Sequence, residues 1–571
     1  MNPVSRFRMG LFLLAVCAVC LAPRPAYAQA APAPKAPPAQ AAWLDFLVLT
    51  PKGPEQAIAE FHVKRGAVLT PQVKESLAGI KAASKAEGVY QAEVAFDFEA
   101  FAQEQQRRAD LARRGAMVPI FNGRMLTGLA QVEFVKPSLI REALRLRIPL
   151  KVPPGVLNGA PITIDPSREL MITDLSVVED PTRTFDPCTG NGNPTGAWTF
   201  GKLMTDMANG TVDPAQMVED WLNLWSTDQT VNSFTVPNRA AGINSQLLST
   251  WPRVNGKLDL TKSPMRLLAI VNRIDLRENT IYGGGSAGEG RFVFGVVNPA
   301  ACSFGASQFT VILEYGVPIS GCQNIHAWGQ KWHALGSIVM GSAGFNPALQ
   351  AITDVFAGPN ANPSKPNGSA LDQLRTNEVA LAFPWELREF HLDGTSHELV
   401  EFTVKQTPEL SFNMTSTVTD YVNGNQAAIL AGTYLVPNDF PAGSPFLGAN
   451  APNGPPTVFW NGATTPTSND ARQQFSLGTC NGCHGSETAT GFLQIHPRAA
   501  GAVAQLSQFL LGNGTLASPN TITVSDPVSG VPRSFGDLLR RQQDLDALLG
   551  SSCRTFGPFR GLLFKPLNMT H

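Results

Sequence analysis

The sequence reads as a multidomain α+β protein. It predicts a large mixed α+β N-terminal portion with an antiparallel sheet, followed by a small all-α C-terminal domain. Three observations predict this. The chain has 571 residues, more than one hydrophobic core accommodates, so several domains are expected. Short β-branched apolar runs recur through its middle, separated by turns that draw on 51 Gly and 45 Pro, the pattern of hairpin-linked strands. From about residue 466 onward, helical spacing replaces those runs.

Residues 1–28 form a secretory signal peptide by pattern. Arg6 and Arg8 give the charged start, Met9 to Ala22 the apolar core, and Ala26-Tyr27-Ala28 the cleavage site. The apolar run is shorter than the ~20 residues of a spanning helix, so the mature chain is expected to be periplasmic or secreted, with no transmembrane segment. Formal net charge is −1, which gives no electrostatic reason for a nucleic-acid partner. Removal of Cys17 and Cys20 with the leader leaves Cys188, Cys302, Cys322, Cys480, Cys483 and Cys553. Thiols in an exported protein are usually paired. Cys302 and Cys322 bracket a hairpin and are expected to bond, which leaves Cys188 for Cys553.

Residues 29–42 are a Pro/Ala linker. Residues 43–165 read as an α+β domain: a strand at Leu44 to Leu49, a helix opened by Thr70-Pro71 with Val73, Leu77 and Ile80 on one face, a charged helix from Phe98 to Arg114, and strands at Gln131 to Val135 and Leu146 to Val152. No reactive cluster occurs there, so packing or partner binding is its expected role. Residues 166–440 read as a mixed α+β domain. Its strands are Leu170 to Val178, Leu267 to Ile274, Arg291 to Val297, Phe309 to Glu314 and Glu398 to Val404. Asp213-Pro214 opens a helix carrying Met217, Trp221, Leu224 and Trp225. No repeat of fixed period occurs, so a propeller or solenoid is not supported. Residues 441–465, dense in Pro, Asn, Gly and Thr, are a linker, and 466–571 the C-terminal domain.

That last domain holds the one motif whose residue types and spacing together name a chemistry. Cys480-Asn481-Gly482-Cys483-His484 is C-x-x-C-H, the attachment site of a covalent haem c. Two thiols one turn apart reach two vinyl groups of one porphyrin, and His484 falls beneath the iron as its axial ligand. The competing readings are a redox dithiol or half a zinc site. The C-x-x-C does not sit in a βαβ unit, and a second C-x-x-C is missing, so both are weaker.

Ser468 and Asp470 cap a short helix before the motif, and Ser534 caps an amphipathic helix with Phe535, Leu538, Leu539, Leu545, Leu548 and Leu549 on one face and Gly550 at its end. A helix before C-x-x-C-H and another late in the segment resemble the small single-haem c-type cytochrome domain, over about residues 466–550. The resemblance implies one covalent haem c, one-electron transfer and a redox partner protein of unknown identity. It also implies that Pro497, in His496-Pro497, supplies the carbonyl that holds the axial His. The family's distal Met is missing: no Met lies between His484 and Leu549. The sixth position therefore has three readings. His496 fills it; or Met414, Met569 or His571 reaches in; or the iron is five-coordinate and open to a small ligand.

Other constellations are weaker. Gly284-Gly285-Ser286-Ala287-Gly288 matches G-x-S-x-G without the strand-turn-helix context a hydrolase needs. His326 and His333, seven apart, share a helix face, with core packing the plainer reading. His391 and His397 flank the Asp393-Gly394 turn of a hairpin. The functional expectations are thus an exported haem electron carrier; a haem peroxidase or oxygenase using His326 or His333 as acid/base; or a secreted hydrolase or binding protein with incidental haem.

Overall fold

The computed structural model describes residues 163–277, 287–298, 302, 308–454 and 457–550 in full, and the backbone of five strands nearer the N-terminus. The signal peptide, the 29–42 linker, the helices expected within 70–114, Ser286, Cys553, Met569 and His571 lie outside the described residues. The five strands are Leu44–Pro51, Ala57–Val63, Ala92–Val94, Leu129–Phe134 and Leu150–Lys151. They form one sheet in the order third, fourth, second, first, fifth, and three of them fall where the sequence placed strands.

The main body is mixed α+β around an antiparallel sheet of eight strands. In chain order these are β1 (Met171–Ile172), β2 (Met265–Arg273), β3 (Glu289–Val296), β4 (Phe309–Gly316), β5 (Leu371–Glu378), β6 (Trp385–Leu392), β7 (Leu399–Phe402) and β8 (Ala451–Asn453). The path runs β7-β6-β5-β4-β3-β2-β1, with β8 also paired to β6. The strand expected over Leu170 to Val178 is cut to two residues. Asp174 accepts from the Ser176 amide and caps a helical turn over Leu175–Val178. Strand β5 was not expected, and β6 only as the arm before the Asp393-Gly394 turn, a hairpin that β6 and β7 do form; Gln373, Arg375, Glu378, Glu386, Arg388 and Glu389 interrupt their apolar residues, yet all six are buried.

The sheet has two unlike faces, set by the two-residue period of a strand. One face turns Phe292, Phe294, Phe309, Leu313 and Phe390 toward four helices: α1 (Phe200–Ala208), α2 (Pro214–Asn223), α3 (Cys322–Leu335) and α4 (Phe345–Ala357). Helix α2 starts as the sequence predicts, with Pro214 in the first turn and the Asp213 carboxylate accepting from the amides of Ala215 and Gln216. Its Trp221 packs edge-on against Phe390, with centroids 5.9 Å apart, and Phe200 of α1 packs edge-on against Phe294 at 5.6 Å. Gly290 lets α4 approach closely, since a Cβ there would lie 2.2 Å from the Phe356 ring.

The other face carries Arg291, Glu314, Gln373, Arg375 and Glu389, and the C-terminal segment covers it. That segment contains α5 (Asn469–Gly478), α6 (Cys480–Cys483) and α7 (Asp537–Leu549). Ser468 caps α5, its hydroxyl accepting from the Ala471 amide at 3.1 Å. The segment differs from the all-α domain that the sequence predicts. Ile522–Ser525 and Pro532–Phe535 pair as a hairpin, so Ser534 lies in a strand and α7 begins at Asp537. Its core is also shared: Leu477, Cys483, Leu538, Leu545 and Leu548 belong to the same buried cluster as the sheet. Helix α7 packs on α3 at Gly329 and is tied to the chain after β2 by Arg277–Asp544 and Arg540–Asp275, the latter at 2.8 Å.

The cysteines are arranged otherwise than the sequence suggests. Cys302 and Cys188 are hydrogen-bonded to each other and neither is in a disulfide, so the expected Cys188–Cys553 bond is not formed either. Cys322 is disulfide-bonded to a residue outside the described ones. The expected Cys302–Cys322 bond is therefore not formed.

Candidate haem site

The C-x-x-C turn is built by local rules and then anchored from outside. The Thr479 hydroxyl accepts from the Gly482 amide at 3.1 Å and caps the turn. Gly482 has no room for a side chain, since a Cβ would meet the Ser476 carbonyl oxygen at 2.2 Å. Asn481 accepts from the Trp460 indole N–H at 2.8 Å, and the Cys480 amide donates to Thr407 at 2.9 Å. The Asn453 amide group, at the end of β8, donates to the His484 carbonyl at 2.7 Å. A buried Arg472–Glu487 pair, with Asp526 3.0 Å from Arg472, holds α5 against the loop after the motif.

His484 is buried, and its Nδ1–H donates to the Phe492 carbonyl. This corrects the role expected of Pro497: the supporting carbonyl belongs to Phe492, eight residues past the His. Phe492 takes φ of +82°, a conformation a bulky residue rarely adopts. A metal at this imidazole would be bound through Nε2, since Nδ1 carries the bond to Phe492. Burial pushes the imidazole down to about 4, so it is neutral at physiological pH. Burial also pushes the Cys480 thiol up to about 11 and Cys483 well above its ordinary value. Neither is the stabilised thiolate of a redox dithiol.

His484 lines a small cavity of about 60 Å³. One wall is the C-terminal segment: His484, Gln494, Ile495, Leu510 and Arg541. The other is the polar face of the sheet, with Val271, Val293, Ile312 and Leu387 between Arg273, Arg291, Glu314 and Arg375. The lining mixes apolar side chains with guanidinium groups, and Cys480 and Cys483 are not part of it.

The other sequence candidates stand apart from this cavity. His496 is half-buried with Nδ1 3.2 Å from Gln308 Oε1 and does not line it. Met414 is 48% exposed. His326 Nε2 lies 3.1 Å from the Leu549 carbonyl, and His333 Nδ1 lies 2.9 Å from Glu169. His391 pairs with Glu389 at 2.7 Å, and His397 sits in the turn with φ of +63°. Met171 does line the cavity, but on β1. Sequence reasoning missed Arg273, Arg291, Glu314, Arg375 and Arg541. Their only signal was acid and base two apart, as in Glu289-x-Arg291 and Arg273-x-Asp275.

Among the described residues, no group of three or more His, Cys, Asp or Glu is arranged to hold a metal ion, and no helix is long and apolar enough to cross a membrane. Comparison of the chain with family models, with curated proteins and with solved structures found no match.

Proposed function

We propose that this is an exported c-type haem protein that passes single electrons through one covalently bound haem. The observation that carries the reading is the joint placement of Cys480, Cys483 and His484 on one buried turn, with His484 lining a cavity walled by the sheet. Cys480 and Cys483 would hold the porphyrin, and His484 would be the proximal ligand. The bound iron would supply a reversible ferric/ferrous couple. The Phe492 carbonyl fixes the imidazole orientation, and the surrounding side chains keep water from that face. The cytochrome-like character of the C-terminal segment is part of this proposal. Helices α5 and α7 around the motif support it, while the hairpin and the shared core depart from it.

A second reading, a haem peroxidase or oxygenase with an open distal side, is favoured by one observation. The wall facing His484 holds Arg375, Glu314 and Asn377, while His496 and Met414 lie elsewhere. In this reading the sheet, not His326 or His333, furnishes the polar groups.

The test is expression with a c-type maturation system. Haem should stay attached after denaturation, and Cys480→Ser with Cys483→Ser should abolish attachment. A denatured chain free of haem would sink both readings. Fast CO binding to the ferrous holoprotein would select the open site; no CO binding would select the carrier.

A further inference from the structure

Two thiols outside the C-x-x-C-H motif meet from distant parts of the chain. Cys188 sits in a turn built around Asp186. The Asp186 carboxylate accepts from the amides of Cys188 at 2.8 Å and Thr189 at 3.4 Å, and its backbone carbonyl accepts from Gly190 at 2.9 Å. Arg266 of β2 holds the same carboxylate at 3.0 and 3.2 Å. The turn is pinched at its base. The Asn193 amide donates to the Thr184 carbonyl at 2.8 Å, and a Cβ on Gly192 would lie 2.3 Å from that oxygen. Cys302 follows β3. Its amide donates to the Asn298 carbonyl at 2.8 Å, and it takes φ of +48°. The side chains of the two cysteines hydrogen-bond to each other, Cys188 half-buried and Cys302 exposed. That approach is what an S–S bond requires. The Asp186 turn also has a second neighbour. Thr184, Asp186, Thr189, Asn191, Arg266 and Arg498 line a cavity of about 220 Å³, so the turn that carries Cys188 is one of its walls.

We propose that Cys188 and Cys302 form a reversible disulfide that locks the wall of this cavity to the chain after β3. The oxidant is a soluble disulfide such as oxidised glutathione. Cys302, as thiolate, attacks one sulfur of the oxidant. The other sulfur leaves as a thiol, and a mixed disulfide remains on Cys302. Cys188 then gives its proton to solvent and attacks the Cys302 sulfur, and the second half of the oxidant leaves and takes up a proton. Two protein thiols are oxidised to one disulfide, and one external disulfide is reduced to two thiols. Burial, and next the hydrogen bond with Cys302, push the Cys188 thiol up, so Cys188 stays protonated while Cys302 is a thiol. Exposure makes Cys302 the point of entry and Cys188 the resolving thiol. This site is independent of the haem reading.

The purified full-length chain is reduced, then treated with oxidised glutathione. Remaining thiols are alkylated in denaturant, and peptides are mapped by mass without reduction. In the wild type the Cys188 and Cys302 peptides should be recovered joined, lighter by two hydrogens than the separate pair. Cys188→Ser should trap glutathione on Cys302. Cys302→Ser should leave Cys188 alkylated and without glutathione. Wild-type protein that keeps glutathione on Cys302, or has both thiols alkylated, overturns the proposal. So does either cysteine joined instead to Cys322, Cys480, Cys483 or Cys553. Amide hydrogen exchange reads the lock. Oxidised wild type should exchange residues 188–192 about tenfold more slowly than Cys302→Ser treated in the same way. Equal exchange overturns the lock even where the bond has formed.

Discussion

The two faces of the eight-stranded sheet obey different rules. One buries rings: Phe292, Phe294, Phe309 and Phe390 meet Phe200, Trp221, Trp225 and Phe356 in edge-on and tilted contacts. Such a face is held by contact area, and its energy is spread over many weak interactions. The other buries charges. Glu314 lies 3.3 Å from both Arg291 and Arg375 and accepts from Gln373 at 2.6 Å. Burial works against ionised Glu389, but Arg375 beside it, with His391 and Lys405, holds its carboxyl well below the usual range. Such a face gains little net stability from its pairs and loses much when one is broken. The sheet therefore has one face specialised for cohesion and one arranged to present fixed polar groups to a cavity.

Adjacent residues on β5 break or sharpen that contrast most directly. Leu374 points to the ring face and Arg375 to the polar one, both buried. Arg375→Met leaves Glu314 and Glu389 buried beside a thioether, and should cost about 3–5 kcal/mol in urea unfolding. Leu374→Met, with the same new side chain on the same strand, should cost less than about 1.5 kcal/mol. Equal costs would mean that the faces do not differ in how they are held. Truncation removes the distinction: Phe292→Ala should cost about 3–5 kcal/mol through its cavity, as much as the lost charge.

The same contrast explains what could be read from the sequence. Strands β2, β3 and β4 were visible because their ring-face residues alternate with Val, Ile and other apolar side chains. Strand β5, and most of β6 beyond its Asp393-Gly394 turn, were invisible, because buried Arg and Glu are rare enough that charge reads as surface. The turn holding Cys480, Cys483 and His484 was legible to the residue, since C-x-x-C-H is a local pattern of fixed spacing. Its surroundings were not. The His484 acceptor was sought at Pro497, but the left-handed turn at Phe492 brings a nearer carbonyl. The second wall of the cavity comes from strands 100 to 200 residues upstream, a juxtaposition that only long-range pairing creates. The C-terminal segment likewise reads as a separate domain until its leucines are found in the core of the sheet.

A smaller, pH-dependent effect than the loss of Arg375 tests a charged corner of the ring face. Glu378, Glu386 and Glu401 gather there around Arg388 and Arg239, three carboxylates to two guanidinium groups. Glu401 is 3.5 Å from Arg388, and its Oε1 is buried without a hydrogen-bond partner. Burial pushes Glu401 up to about 8, only partly offset by Arg388, and pushes Glu378 up to about 7. A carboxyl raised from 4.5 on folding favours the folded state through its bound proton. That contribution is fully present below pH 4.5 and is lost as pH rises through about 8. Glu401→Gln keeps the shape and carries no proton to lose. It should match the wild type near pH 4.5 and exceed it near pH 9 by on the order of 1–3 kcal/mol, measured as urea midpoints across that range. Parallel curves for the two proteins would show that Arg388 already neutralises Glu401, and that the corner is paired like the polar face rather than strained against the rings around it.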